Sequence, residues 1–232
     1  MPNLSLFIIL AYALYEGFVH AFEADHVLAV SNIVSQRNRV MLAIKDGLFW
    51  GLGHTSTIFL IGVLMIVFRV LISEVSFLYF EAIVGLMLVV VAVFRFYLFW
   101  RSELPVIHVH RHENFEHDGA NEQLHTHIHL DGKHLHKTSY GIGIIHGLAG
   151  SGTLVLLIMT QIESVVNRLL YLVVFGAGSM FGMALVAGLF SVPFSRKLVF
   201  SNRIVRTILV LLSSGLCFAY GCYVIYQNLS NT

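Results

Sequence analysis

Six apolar runs, each close to the ~20 residues that an α-helix needs to cross about 30 Å of hydrocarbon, decide what this chain can fold into. They lie at about Leu4 to Ser31, Gly47 to Ile72, Ser76 to Trp100, Ser139 to Gln161, Arg168 to Phe190 and Arg203 to Tyr226. Only 12% of the residues are charged, about half the share of a soluble domain, so lipid is the solvent for most of the chain. A segment in lipid must pair its backbone groups internally. The expected fold is therefore an all-α polytopic membrane protein of six transmembrane helices, one bundle in 232 residues. The first run lacks the basic start of a signal peptide and is expected to be retained. Cys217 and Cys222, roughly 140° apart around a helix, form neither a metal pair nor a disulfide framework.

Lys and Arg in the links set the orientation. The links after the first, third and fifth runs hold Arg37, Arg39, Lys45, Arg101, Arg111, Lys133, Lys137, Arg196, Lys197, Arg203 and Arg206, and the opposite links hold Arg69 and Arg168. The first set is expected in the cytoplasm and both ends of the chain outside. The expected location is the bacterial inner (plasma) membrane.

The link 101–138 differs from its surroundings. It carries His108, His110, His112, His117, His125, His127, His129, His134 and His136 among Glu103, Glu113, Glu116, Asp118 and Glu122. Low apolar content predicts a segment without fixed structure, and imidazole-rich tracts bind nickel, cobalt, zinc and copper. An auxiliary cytoplasmic metal-collecting loop and a plain soluble spacer are both open readings.

The flanking segments, 1–100 and 139–232, look like two copies of one three-helix unit. Setting "EGFVHAFEADHVLAV" over "IGIIHGLAGSGTLVL" pairs Gly17 with Gly143 and His20 with His146; setting "FWGLGHTST" over "VFGAGSMFG" pairs Gly51 with Gly176 and Gly53 with Gly178. Units of three helices must cross in opposite senses, which makes a 3+3 inverted repeat with its substrate site near mid-membrane between the halves. One half rocking against the other is the expected motion.

The stretch "YEGFVHAFEADHVLAV" places Glu16, His20, Glu23, Asp25 and His26 inside an apolar run. Each ionisable group at a helix centre costs about 2.5 to 3.5 kcal/mol even on the lenient insertion scale. Glu16, His20, Glu23 and His26 fall within about 80° of one another on a helix. Asp25 lies about 140° from His20, so either the helix unwinds near Ala24 or Asp25 acts from elsewhere, for instance by orienting a ligand histidine. Nitrogen and oxygen donors without thiolate favour Ni(II), Co(II) or Zn(II); a buried network that only locks helices together is the alternative. In "GLFWGLGHTSTIFLIG", Gly51 and Gly53 permit close backbone approach and His54 follows, with Thr55 and Ser56 as hydroxyl donors. In "GIIHGLAGSGTLVLL", His146 and Ser151 sit among glycines, and His146 reads equally as a ligand or as an interhelical hydrogen-bond partner.

These motifs resemble a known family. "HAFEADHVLAVSN" is similar to the His-x4-Asp-His signature of the nickel/cobalt transporters, and "GLGHTST" to their second motif. With "IHGLAGSGTLVLL", the set looks most like the six-helix urease-accessory type. That resemblance implies His20, Asp25, His26 and His54 as metal-recognition residues; the residues themselves offer Glu16, Glu23, Thr55, Ser56, His146 and Ser151 as further metal or pathway candidates. The eight-helix permeases usually carry a basic residue where Val19 stands, and the histidine-rich exporters typically have Pro-Gly at Ala24 and Asp25.

The expected function is transport of a divalent transition metal as substrate, Ni(II) or Co(II) with Zn(II) as a third candidate, uptake being favoured by the first motif and efflux by the histidine tract. An intramembrane metal-dependent enzyme is the competing class. No nucleotide-binding loop occurs in the sequence. The expected partners are the metal ion, membrane lipid and a cytosolic metal-delivery protein, with no nucleic acid; the sequence does not specify an oligomer.

Overall fold

A computed structural model of the chain describes residues 2–35, 37, 39–70, 72–102, 132–194 and 203–230. Among these residues the fold is all-helical: α1 (Pro2–His20), α2 (Ala24–Val34), α3 (Val40–Ile66), α4 (Glu74–Ser102), α5 (Gly132–Gln161), α6 (Val165–Ser191) and α7 (Arg203–Ser230), with one 3-10 turn at Val192–Phe194. Four of them, α3, α4, α6 and α7, are long and apolar enough to cross a membrane, and the pair α1/α2 makes a fifth if it is one bent span. Large apolar side chains such as Phe7, Leu60, Leu86, Phe181 and Leu212 are exposed, a surface suited to lipid.

The first apolar run is not one helix. Phe22 N–H donates to Val19 O at 2.9 Å and Glu23 N–H to His20 O at 3.1 Å, closing α1 in a turn. The chain then restarts at Ala24 with a 55° bend. In the first turn of α2, the Asp25 carboxylate accepts the backbone N–H of His26 at 2.9 Å, satisfying one donor that a helix start leaves open. The second run also ends earlier than its hydropathy suggests. Arg69 takes a positive φ of 54° and Val70 N–H donates back to Leu64 O at 3.1 Å, so the chain turns out of the helix here.

α5 begins at Gly132, inside the link expected to be structureless to residue 138. The residues before Ser139 are polar but not helix-breaking, so the helix continues beyond its apolar part. The remainder of that link, 103–131, lies outside the described residues.

Packing does not respect the two sequence halves. α3 packs on α5 and α6, α1 on α6, and α4 on α7; α4 also meets α5, and α2 meets α7. The tightest approaches use glycine, and they come in matched pairs. A Cβ on Gly17 would strike the Phe175 backbone, and one on Gly143 the Trp50 backbone; one on Gly53 would strike Tyr140 and one on Gly178 would strike Leu14. Gly51 faces Met180 and Gly176 faces Thr55. Between α4 and α7, Gly85 and Gly221 each face the other's carbonyl.

A buried polar cluster closes the ends of α2, α3 and α5. Arg37 forms a bidentate ion pair with Asp46, His136 Nδ1 lies 2.6 Å from Asp46 Oδ1, and Arg95 Nε donates to Ser35 Oγ at 2.6 Å. Asn32 of α2 ties to α7 by donating to Ser213 O at 3.3 Å and accepting from Ser214 Oγ at 2.9 Å.

Candidate metal centre

The break after His20 gathers the polar residues. His20 ends α1, Asp25 and His26 open α2, His54 sits midway along α3 and His146 midway along α5. His26 lies at the middle of this group, its ring centroid 4.5 Å from His20, 5.1 Å from His54 and 4.2 Å from His146. Gly53 and Gly147 set the α3–α5 spacing, since a Cβ on Gly147 would lie 2.6 Å from His54 O.

Two overlapping sets of three side chains bring their donor atoms within 4.8 Å of one another: His20, His26 and His54, and Asp25, His26 and His146. His20 Nε2 and His54 Nε2 are 3.2 Å apart, and two imidazoles held about 2.0 Å from one ion in a tetrahedral site stand about 3.3 Å apart. Asp25 spans its neighbours, with Oδ1 3.0 Å from His26 Nδ1 and Oδ2 2.8 Å from His146 Nε2. Glu23 Oε1 lies 2.9 Å from His20 Nδ1. A carboxylate on one ring nitrogen fixes the tautomer and turns the other nitrogen's lone pair toward an ion. The helix does break between His20 and Ala24, and both carboxylate oxygens of Asp25 lie within hydrogen-bond distance of a histidine.

His26, His54 and His146 are almost fully buried, and His26 Nε2, His54 Nδ1 and His146 Nδ1 have no hydrogen-bond partner among the described residues. Buried polar atoms left open cost about 1 to 3 kcal/mol each. A cavity of about 450 Å³ reaches this centre, lined by Glu16, His20, Glu23, Asp25, His26, Glu81 and His146 among others.

The other expected residues fall elsewhere. Thr55 Oγ1 donates to Gly176 O at 3.2 Å, joining α3 to α6, and exposed Ser56 donates to Leu52 O of its own helix. The side chains of Ser151 and His134 are not described, and the tract histidines from His108 to His129 lie outside the described residues. His136 is held by Asp46 and stacks on Phe49, centroids 5.3 Å apart.

Two residues escape the sequence reading. Trp50 stacks on the His26 ring at 5.6 Å; its place four residues before His54 puts both on one helix face, which was the available signal. Glu81 stands alone in an apolar run, and the cost of an ionisable group there should have drawn notice.

Comparison with known proteins places the chain in a family. The model of the NicO family, described as high-affinity nickel-transport protein, matches residues 4–216. The chain belongs to the NicO family. It is 35% identical over 217 residues to the urease accessory protein UreH of Bacillus sp. (strain TB-90), covering 89% of this chain and 87% of that protein. No solved structure matches it. As a NicO protein it is a nickel-transport membrane protein rather than an enzyme, which sets aside the metalloenzyme reading.

Proposed function

We propose that this NicO protein carries Ni(II), and Co(II) as a second substrate, into the cytoplasm through six transmembrane segments, with His20, Asp25, His26 and His54 as ligands and His146 joining them. The observation that carries this reading is the convergence of four histidines and one carboxylate from four helices at the inner end of a cavity, with three ring nitrogens left open. The thirty-residue α5, packed along α3 and α4, is the sixth span.

The matched glycine contacts support the 3+3 inverted repeat: exchanging the halves maps Gly17 on Phe175 to Gly143 on Trp50, and Gly53 on Tyr140 to Gly178 on Leu14. The moving parts are not the two halves. α1, α3, α5 and α6 interlock through backbone-to-backbone glycine contacts across the halves, whereas the α4/α7 pair forms the other wall of the cavity with Glu81, Tyr220, Val224 and Asn228. Motion of that pair against the four-helix core opens and closes the centre without breaking the tight interfaces.

Inward movement has a supply of energy. Two positive charges entering a negative interior gain about 2.3 kcal/mol each per 100 mV. The cavity supports this direction, because Glu81 lies early in α4 and Asn228 in the last turn of α7, at the face that the positive-charge count assigns to the outside of a bacterial inner membrane. The histidine tract then lies on the cytoplasmic side, where it would pass metal to a delivery protein; the same tract is what favours efflux as the second reading. Purified protein in liposomes with an imposed inside-negative potential decides. Nickel should accumulate in the lumen, and His26→Ala should reduce accumulation to that of empty vesicles. Wild-type rates in His26→Ala would overturn the site, and accumulation driven only by an opposing proton gradient would favour efflux.

A further inference from the structure

We propose that the ion occupies two stations in turn, first Asp25, His26 and His146 and then His20, His26 and His54, with the His26 ring shared between them. The inference rests on the transport reading above and adds the order of binding.

Three observations carry it. The two ligand sets are distinct and overlap only at His26. All of the Asp25 set lines the cavity, whereas His54 does not, so an ion arriving through the cavity meets the Asp25 set complete and finds the other set one ligand short. The His26 ring, finally, can be shared without moving its proton: Nδ1–H is held by Asp25 Oδ1 at 3.0 Å, and the lone pair is on the buried Nε2, which has no hydrogen-bond partner among the described residues.

The chemistry of the two sets differs in a way that suits transfer. The first includes a carboxylate, which offsets one of the ion's charges as it leaves water. The second holds imidazoles alone in its ligand set, with Glu23 behind His20 at 2.9 Å. A neutral imidazole has one lone pair, so His26 serves one ion at a time and the stations exclude each other. The ion passes from a half of the centre tied to α5 to one tied to α1 and α3 by changing two ligands and keeping the third. His146, from the second copy of the repeat, becomes a ligand in its own right.

The test uses the full-length chain with the eight histidines from His108 to His134 replaced by Asn, so that the tract does not bind the probe. Nickel binding is measured by equilibrium dialysis, its ligands by X-ray absorption at the nickel edge, and its movement in liposomes. One Ni(II) per chain is expected. His54→Ala and His146→Ala should each still bind one Ni(II) while losing transport by about tenfold or more. The ion in His54→Ala should show a carboxylate oxygen, and that in His146→Ala a shell richer in imidazole. Two ions bound together, identical shells in the two variants, or wild-type transport in His146→Ala would each overturn the relay. Should His146→Ala fail to fold, His146→Leu, which keeps the volume, takes its place with the same outcomes. A parent protein that binds nickel but moves none into vesicles refutes the transport reading instead, and the ligand shells still decide between one station and two.

Discussion

Replacing Gly147 by Ala adds a single methyl group beside His146 and should disable the protein. The new Cβ would stand 2.6 Å from His54 O and 2.8 Å from Thr57 Cβ, where real Cβ atoms keep at least 3.0 Å. The obstacle is backbone on α3, so it cannot rotate away; α3 and α5 must part by about 0.4 Å at least, and more for an ordinary contact. Overpacking of this kind costs about 1 to 3 kcal/mol, against a gain of about 0.5 to 1 kcal/mol from Ala over Gly inside a helix. The net is a loss of up to about 2 kcal/mol. The larger effect is on the centre, since His54 and His146 face each other across this seam and a displacement approaching 1 Å can cost about a hundredfold in a positioned site. Gly141, in the same helix, has open space around its Cβ position, and Gly141→Ala should be neutral or stabilising. Thermal unfolding in detergent and nickel uptake in liposomes, run on both variants, give the comparison. Equal midpoints and equal uptake for Gly147→Ala and Gly141→Ala would refute the argument that backbone contact sets the ligand spacing.

The Arg37–Asp46 pair is buried on both sides, so Asp46→Ala should destabilise by about 3 to 5 kcal/mol by stranding Arg37, whereas an Arg37→Met, Asp46→Leu double variant should recover most of that, read by the detergent midpoint. Nickel should quench Trp50, whose ring stacks on His26; in a Trp100→Phe background the quenching should vanish in His26→Ala, and its persistence would place the ion elsewhere. Glu81→Gln should slow uptake at low ionic strength by about two- to fivefold and have little effect at high salt, because a cation-attracting charge acts through a screened field. An effect independent of salt would assign Glu81 to the ligand sphere.

Much of this centre was legible in the sequence because lipid makes polar residues conspicuous. His20, His26 and His54 stood out against apolar neighbours, and Asp25 announced the helix break by lying off their face. Glu81 and Asp46 carry the same signal singly, and a lone acid without a motif drew no attention. Helix limits were less legible where hydropathy and helicity part company: Gly132 to Thr138 is polar yet helical, and the chain past Ile66 is apolar yet leaves the helix at Arg69. Helix partners were not legible at all. Periodicity says that α3 has a glycine face, not that Tyr140 of α5 and Met180 of α6 fill it.

The cross-pairing of the halves has a consequence for how the protein is made. When α1 to α4 have been synthesised, Gly17, Gly51 and Gly53 still lack Phe175, Met180 and Tyr140, and Asp25 lacks His146. The first half therefore enters the bilayer with its small-residue faces toward lipid and with Asp25 and His26 lacking His146, and acquires an interior only as the second half arrives. A fragment 1–102 should be short-lived when made alone and rescued when residues 132–232 are supplied as a separate chain, the two assembling as if they were subunits of a dimer.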